Sequence, residues 1–346
     1  MEIFGPAGLR SFVRQNFKMT ATHTGDHYVV HELLKPHDRI TPCKDFPPSE
    51  MEHSNSSQYP GCFQDWDIRH PSEERGRDIH AGEDKFWRGI SSGQGRYGDI
   101  VVDAGPIYHR GTSETHKFHA ADNRVADPCI GYVFRENSDP QRKIVILGDT
   151  SDPSAIIPLC INPSPSLLIH EATDAHIPYY IDAKLGRRDA EAVLSKTIER
   201  GHSTPAMAGT FADMIGARRL VLNHIGARFP GPNGDTNHRN WLILSEIQNQ
   251  ASYAWGSGRQ AEVAFDYKRV VISGDQNQNI QHYPPGTPNY HTYNRQGDHG
   301  SAMQQSWSWV PKEVDREYSS SETYHRLDTY NHRGYREENH QSRKRR

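Results

Sequence analysis

KIVILGDT, residues 143–150, is the stretch on which the reading of the fold turns. A short apolar run rich in β-branched residues and closed by a glycine reads as a strand. Asp149 then stands at its carboxyl end. The same arrangement recurs in DIVVDAGPIYH (99–109), which ends in His109, and in RRLVLNHIG (218–226), which carries His224 just past its apolar core. Carboxyl ends of strands in an α/β layer fold gather on one edge, so ligands far apart in sequence can meet there. Each residue alone is ordinary, since Asp149 also suits a turn or a cap and a lone strand-end histidine is often hydrogen-bonded structure. The threefold repetition points to a metal site.

Working outward, SLLIHEAT (166–173) and IGYVF (130–134) read as further strands, and HYVVHELL (27–34) as a short one. GLRSFVRQNFKM (8–19), SAIIPLC (154–160), RDAEAVLSKTIER (188–200) and WLILSEIQNQ (241–250) read as helical, the first on apolar spacing; EVAFDYKRVVI (262–272) reads as a last strand. In HSTPAMAGTFADMIGA (202–217) either Ser203 or Thr204 can cap a helix whose first turn takes Pro205. Two polar clusters stand out against this frame: His170-Glu171-Ala172-Thr173, and Gly201 to Pro205. A helix amino terminus offers free N–H groups and a positive dipole end suited to a phosphate. His202 beside it can protonate a leaving oxygen, with Glu171 holding the imidazole in the useful tautomer. The competing reading is that Glu171, Ser203 and Thr204 merely cap elements.

Composition sets the limits. Hydrophobic residues make up 34% of 346 and the mean hydropathy is -0.84, too polar for a packed domain throughout. Pro, Ser, Asp, Glu and Gly dominate residues 37–97, which predicts a surface insertion with little fixed structure. From 274 to 346 nearly every residue is polar, which predicts a disordered tail after an ordered domain spanning 1–273. Cys43, Cys62, Cys129 and Cys160 form no CxxC pair and read as reduced thiols. No apolar run is long enough for a membrane span and the start lacks a signal-peptide layout, so the expectation is a soluble protein of cytoplasm or nucleus. A formal charge of -3 does not announce a nucleic-acid partner, so RNA contact would rest on local basic patches. The closing Arg343-Lys344-Arg345-Arg346 is one, though a solvated tail explains it as well.

The order GPAGLR (5–10), HYVVHEL (27–33), PIYH (106–109), PCIGYVF (128–134), ILGDT (146–150), HEAT (170–173), GHSTPAMAG (201–209) and LVLNHIGARF (220–229) resembles tRNase Z, the short eukaryotic form found in fungi. The match covers residues 1–34, 99–230 and, loosely, 260–272. The resemblance implies the αββα sandwich of the metallo-β-lactamase superfamily, with two zinc ions at the edge between the sheets. It implies that His109 completes one zinc, Asp149 bridges both and His224 completes the second, while Glu171 and His202 assist cleavage and the helix start with Ser203 and Thr204 receives phosphate. Precursor tRNA is the implied substrate, cut after the discriminator nucleotide by metal-activated water, and a homodimer the implied assembly.

The family's HxHxDH motif is absent. Thr22-His23-Thr24-Gly25-Asp26-His27 keeps only the final Asp-His and lies downstream of GPAGLR instead of upstream. Three ligands with Asp149 shared leave each zinc two protein ligands where a catalytic zinc takes at least three. The expectation is therefore an incomplete amino-terminal part from a truncated gene model, weak zinc binding and little cleavage. Between His109 and Asp149 the interval is also short for the arm with which many relatives grip the tRNA elbow. Two other readings remain open: a non-catalytic homologue serving as an RNA- or protein-binding module, and another phosphodiesterase of the same fold, against which HEAT and HST speak.

Overall fold

The structure is a computed structural model that describes residues 1–22, 25–45, 65–109, 129–139, 141–231, 237–256 and 258–272. The predicted tail and the middle of the predicted insertion, 46–64, lie outside the described residues, as do 110–128 in the shortened interval before Asp149.

Among the described residues the strands form two sheets. Three strands meet the smaller one's central β2 in parallel: β1 (Glu2–Pro6), β3 (Glu73–Glu74) and β4 (Asp78–His80) all pair with β2 (Tyr28–Leu34). Helix α1 (Leu9–Met19) covers β2. The larger sheet has seven strands in the order β11-β10-β9-β8-β7-β6-β5. Its antiparallel part is β5 (Trp87–Gln94), β6 (Asp99–Ile107), β7 (Cys129–Glu136) and β8 (Lys143–Leu147). Its parallel part continues from β8 through β9 (Leu167–Glu171) and β10 (Leu220–Asn223) to β11 (Glu262–Val263).

Parallel strands need crossovers, and helices supply them. α2 (Ile157–Cys160) and α3 (Ala190–Glu199) lie between successive strands, and α4 (Pro205–Met214) packs on β9 and β10. α5 (His238–Trp255) lies against α4 and β11. Val145, Leu168 and Leu222 from the sheet meet Phe211, Ile243 and Ile247 from these helices in one core. A second core of Leu33, Trp87, Ile90, Ala104 and Ile130 joins the two sheets face to face. Tyr132 donates to the Phe4 carbonyl (3.1 Å) and the Trp87 indole to the Leu34 carbonyl (3.1 Å) across that seam. The layering is helix, sheet, sheet, helix, the αββα sandwich expected.

Three expectations are corrected. Residues 65–97 are not devoid of fixed structure, because they contribute β3, β4 and β5. Composition hid this: the segment is polar on average, yet Phe86, Trp87 and Ile90 are buried, and charged side chains from α1 bind its backbone at the Trp66, Ile68 and Arg77 carbonyls. The last strand is only Glu262–Val263, since past it the chain turns, with Tyr267 at φ 65. And α1, read from apolar spacing, buries a basic stripe instead: Arg10, Arg14 and Lys18 face inward while Phe12 and Met19 are 64% and 76% exposed.

Candidate active site

The antiparallel turn-backs leave β6 running the same way as β8, so the carboxyl ends of β6, β8, β9 and β10 share one edge. His109, Asp149, Glu171 and His224 arrive there from separate strands. The fifth residue, His202, comes from the turn before α4. Gly201, at φ 86, ends α3 in the left-handed region that favours glycine, and the His202 amide closes back on the Thr197 carbonyl at 2.9 Å. His224 itself sits at φ 50, on a tight turn past β10. Gly226 completes that turn against Thr173, where any Cβ would lie 2.4 Å from the Thr173 carbonyl oxygen.

Asp149, Glu171, His202 and His224 each offer a ligand atom, all within 4.8 Å of one another. His224 Nδ1 is 3.3 Å from Asp149 Oδ1, and His202 Nδ1 is 4.0 Å from Asp149 Oδ2. The His109 ring packs edge-on against that of His202, with centroids 5.1 Å apart, and the His202 and His224 rings are 5.3 Å apart. Every metal or acid–base residue named from the sequence is thus in one pocket.

Glu171 is the buried member, with 1% of its side chain exposed, and a buried carboxylate must be hydrogen-bonded. Its Oε1 accepts from the Thr150 amide (2.6 Å) and lies 3.1 Å from His202 Nδ1; its Oε2 accepts from the Thr173 hydroxyl. With Nδ1–H donating to that carboxylate, His202 keeps Nε2 for proton transfer. The Thr173 oxygen is also 2.8 Å from His224 Nδ1, so one side chain braces both halves of the site.

From the sequence, Thr173 stands out only as part of the HEAT cluster and Thr150 has no assigned role; their position, last in HEAT and in GDT, is the available signal. Thr150 further donates its hydroxyl to the Tyr108 carbonyl (2.9 Å), locking the β6 end to the β8 end. For Ser203 and Thr204 the sequence offered phosphate contact or capping. The structure engages both hydroxyls within the protein: Ser203 donates to the Thr150 carbonyl (2.6 Å) and Thr204 caps α4 by accepting from the Met207 amide (3.4 Å).

Imidazole nitrogens and carboxylate oxygens are the donors zinc prefers outside thiolate sites, so the residues present fit such an ion. Asp149 and His224 would hold it, with the His109 ring against that of His202, and Glu171 with His202 stand close by. A cleft of about 460 Å³ opens beside His224, bounded by Ile225, Phe229, Val263 and Phe265.

Zinc phosphodiesterase ELAC protein 1 from Homo sapiens is 32% identical over 313 residues, covering 80% of this chain and 72% of the relative. The chain belongs to the tRNase Z family. Ribonuclease Z from Bacillus velezensis is 24% identical over 272 residues, 79% of this chain and 71% of its own length. Among solved structures, human tRNase Z, short form, is similar at 27% identity and a TM-score of 0.44, covering 79% of this chain and 68% of that one. No protein-family model matches the chain.

Proposed function

We propose that this tRNase Z family member is a zinc-dependent endoribonuclease that removes the 3′ trailer from precursor tRNA. The observation that carries the reading is the pairing of His202 with buried Glu171, 3.1 Å apart, at the mouth of the Asp149–His224 pair. A bound zinc lowers the pKa of its water and polarises a phosphoryl oxygen. The chain's own residues do the rest. Glu171 orients His202 through Nδ1, which leaves Nε2 to donate a proton to the departing 3′ oxygen. Asp149 and His224 would hold the metal, and Thr150 and Thr173 hold Glu171 in place.

No HxHxDH motif occurs in these 346 residues, so a reduced zinc affinity and slow turnover are part of the proposal. The test combines zinc titration of the purified chain with single-turnover cleavage of a trailer-bearing precursor tRNA. Zinc-dependent cutting after the discriminator nucleotide is expected, at a low rate. Zinc uptake and RNA binding without any cut would favour the RNA-binding module instead; the absence of both would reject the reading.

A further inference from the structure

Between the end of β9 and the start of α3 the chain makes a compact loop, residues 174–189, that the active-site chemistry does not use. It is held firmly. Asp182 accepts from the Lys184 and Leu185 amides (3.1 and 2.6 Å) and from the Arg239 guanidinium at the start of α5. Gly186 sits so close to Tyr179 that a Cβ there would be 2.4 Å from the Tyr179 Cα. At the other end Arg188 grips Asp174 through both carboxylate oxygens (2.8 and 2.9 Å) and the Ala175 carbonyl (2.6 Å). Arg228 joins the same carboxylate at 3.2 Å. Asp174 directly follows Thr173, which contacts Glu171 and His224, so the loop is tied to the pocket rim.

These ties order the loop, and they also neutralise it unevenly. Asp182 is matched by Arg239 and Asp174 by Arg188 and Arg228. Lys184 and Arg187 are exposed and have no ion pair among the described residues. Beside them Tyr179 and Tyr180 are 65% and 72% exposed. A rigid backbone presenting two aromatic rings and two uncompensated cations has the chemistry of a single-stranded nucleic-acid platform, rings for bases and cations for phosphates. A protein partner would also meet exposed tyrosines, but Lys184, Arg187 and Arg188 together with the attached Arg228 and Arg239 outnumber Asp174, Asp182 and exposed Asp189 by two, and that positive balance favours a polyanion.

We infer that Tyr179, Tyr180, Lys184 and Arg187 form a docking platform for the unpaired 3′ trailer of the RNA substrate. This rests on the proposed function and adds the element that positions the trailer. The experiment uses the full chain in EDTA, where nothing is cut, and measures binding of a precursor tRNA with its trailer and of the same tRNA ending at the discriminator nucleotide. Tyr179→Ala with Tyr180→Ala should weaken binding of the trailer-bearing RNA by about tenfold or more. Lys184→Ala with Arg187→Ala should flatten the slope of log affinity against log salt by about 1.4, two single-strand phosphate contacts' worth. Both pairs should leave the trimmed tRNA bound as by the parent. Phe12→Ala, an exposed aromatic on the opposite sheet's helix, should change nothing, and unaltered melting would show that all variants fold.

Trailer-bearing RNA bound equally well by the variants overturns the platform alone. Equal weakening on trimmed and untrimmed RNA shows that the loop holds the tRNA body, which overturns the trailer assignment. A parent chain that binds neither RNA overturns the platform together with the proposed function.

Discussion

The two sheets solve the same packing problem with different chemistry. The seven-stranded sheet is covered by α4 and α5 through an apolar core that includes Val145, Leu168, Leu222, Phe211 and Ile247. The four-stranded sheet is covered by α1 through charge. Arg14 meets Glu73 with two 2.8 Å bonds, neither side chain exposed, and donates to the Pro42 and Trp66 carbonyls (2.8 Å each). Arg10 reaches Asp78 (2.8 Å) and the Val30 carbonyl (3.1 Å), and Lys18 the Asp65 and Ile68 carbonyls (2.8 and 2.7 Å). One side tolerates a polar pocket at its strand ends because its stability lies elsewhere. The other uses its polar groups to hold irregular chain.

If the chemistry belongs to the seven-stranded side, the largest effect is at its edge. Asp149→Ala removes the carboxylate that faces both His202 and His224, and zinc uptake and cleavage should be lost. Zinc content after dialysis and a cleavage assay measure it, while the metal-free melting temperature should hardly move, because the side chain is 42% exposed. A variant that takes up zinc like the parent would place the metal elsewhere. Next, His202→Ala should lower single-turnover cleavage by about a hundredfold or more while RNA affinity stays within error, since proton donation acts in the transition state. Unchanged cleavage would remove His202 from the mechanism.

The four-stranded side should respond in stability instead. Glu73→Gln leaves the Arg14 guanidinium buried without a counter-ion, and breaking such a pair costs about 3–5 kcal/mol. Urea unfolding should show this loss, with zinc affinity unchanged while the chain remains folded. A parallel loss of zinc affinity would mean that the two sheets are coupled through the Trp87 seam more tightly than the contrast allows.

The same contrast explains what the sequence disclosed. KIVILGDT, SLLIHEAT and RRLVLNHIG announce buried strands because apolar residues carry their packing, and the polar residues that close each strand land in the pocket by topology alone. The convergence of His109, Asp149 and His224 was legible for that reason. On the other side packing is carried by Arg10, Arg14 and Lys18 at i, i+4 and i+8, a stripe that hydrophobic periodicity assigns to solvent. Its acidic partners Glu73 and Asp78 lie some sixty residues away in a stretch whose composition suggests no fold, so neither half of the arrangement was legible without the other. The engagement of Ser203 and Thr150 was hidden differently. A hydroxyl beside a histidine reads equally as a substrate contact or as a tie between loops, and the tie shows only in the 2.6 Å bond from Ser203 to the Thr150 carbonyl.

The smallest effect sharpens the contrast by pH. His31, on β2, stacks on Phe4 at 4.4 Å and is 5% exposed. Its Nδ1 accepts from the Arg77 amide (3.1 Å), a role open only to the neutral ring, and the Arg77 and Arg10 guanidiniums lie near while Glu2 approaches to 4.0 Å. Burial first, then Arg77 and Arg10, hold this imidazole below its usual pKa against the pull of Glu2. Above the unfolded value near 6.5 both states are neutral and His31 has no effect on stability. As pH falls below that value the unfolded chain takes up a proton that the folded chain refuses, so stability declines until the folded pKa is reached. The slope from one site cannot exceed about 1.4 kcal/mol per pH unit. His170, which burial also holds neutral, contributes in the same direction from the seven-stranded side, so the readout is the difference between parent and His31→Gln. The amide can still accept from Arg77 but does not titrate. The variant should therefore lose less stability than the parent on going from neutral pH to pH 5 in urea unfolding. Parallel curves would mean that the folded protein accepts the proton at His31, with the four-stranded side absorbing one more buried cation through Glu2.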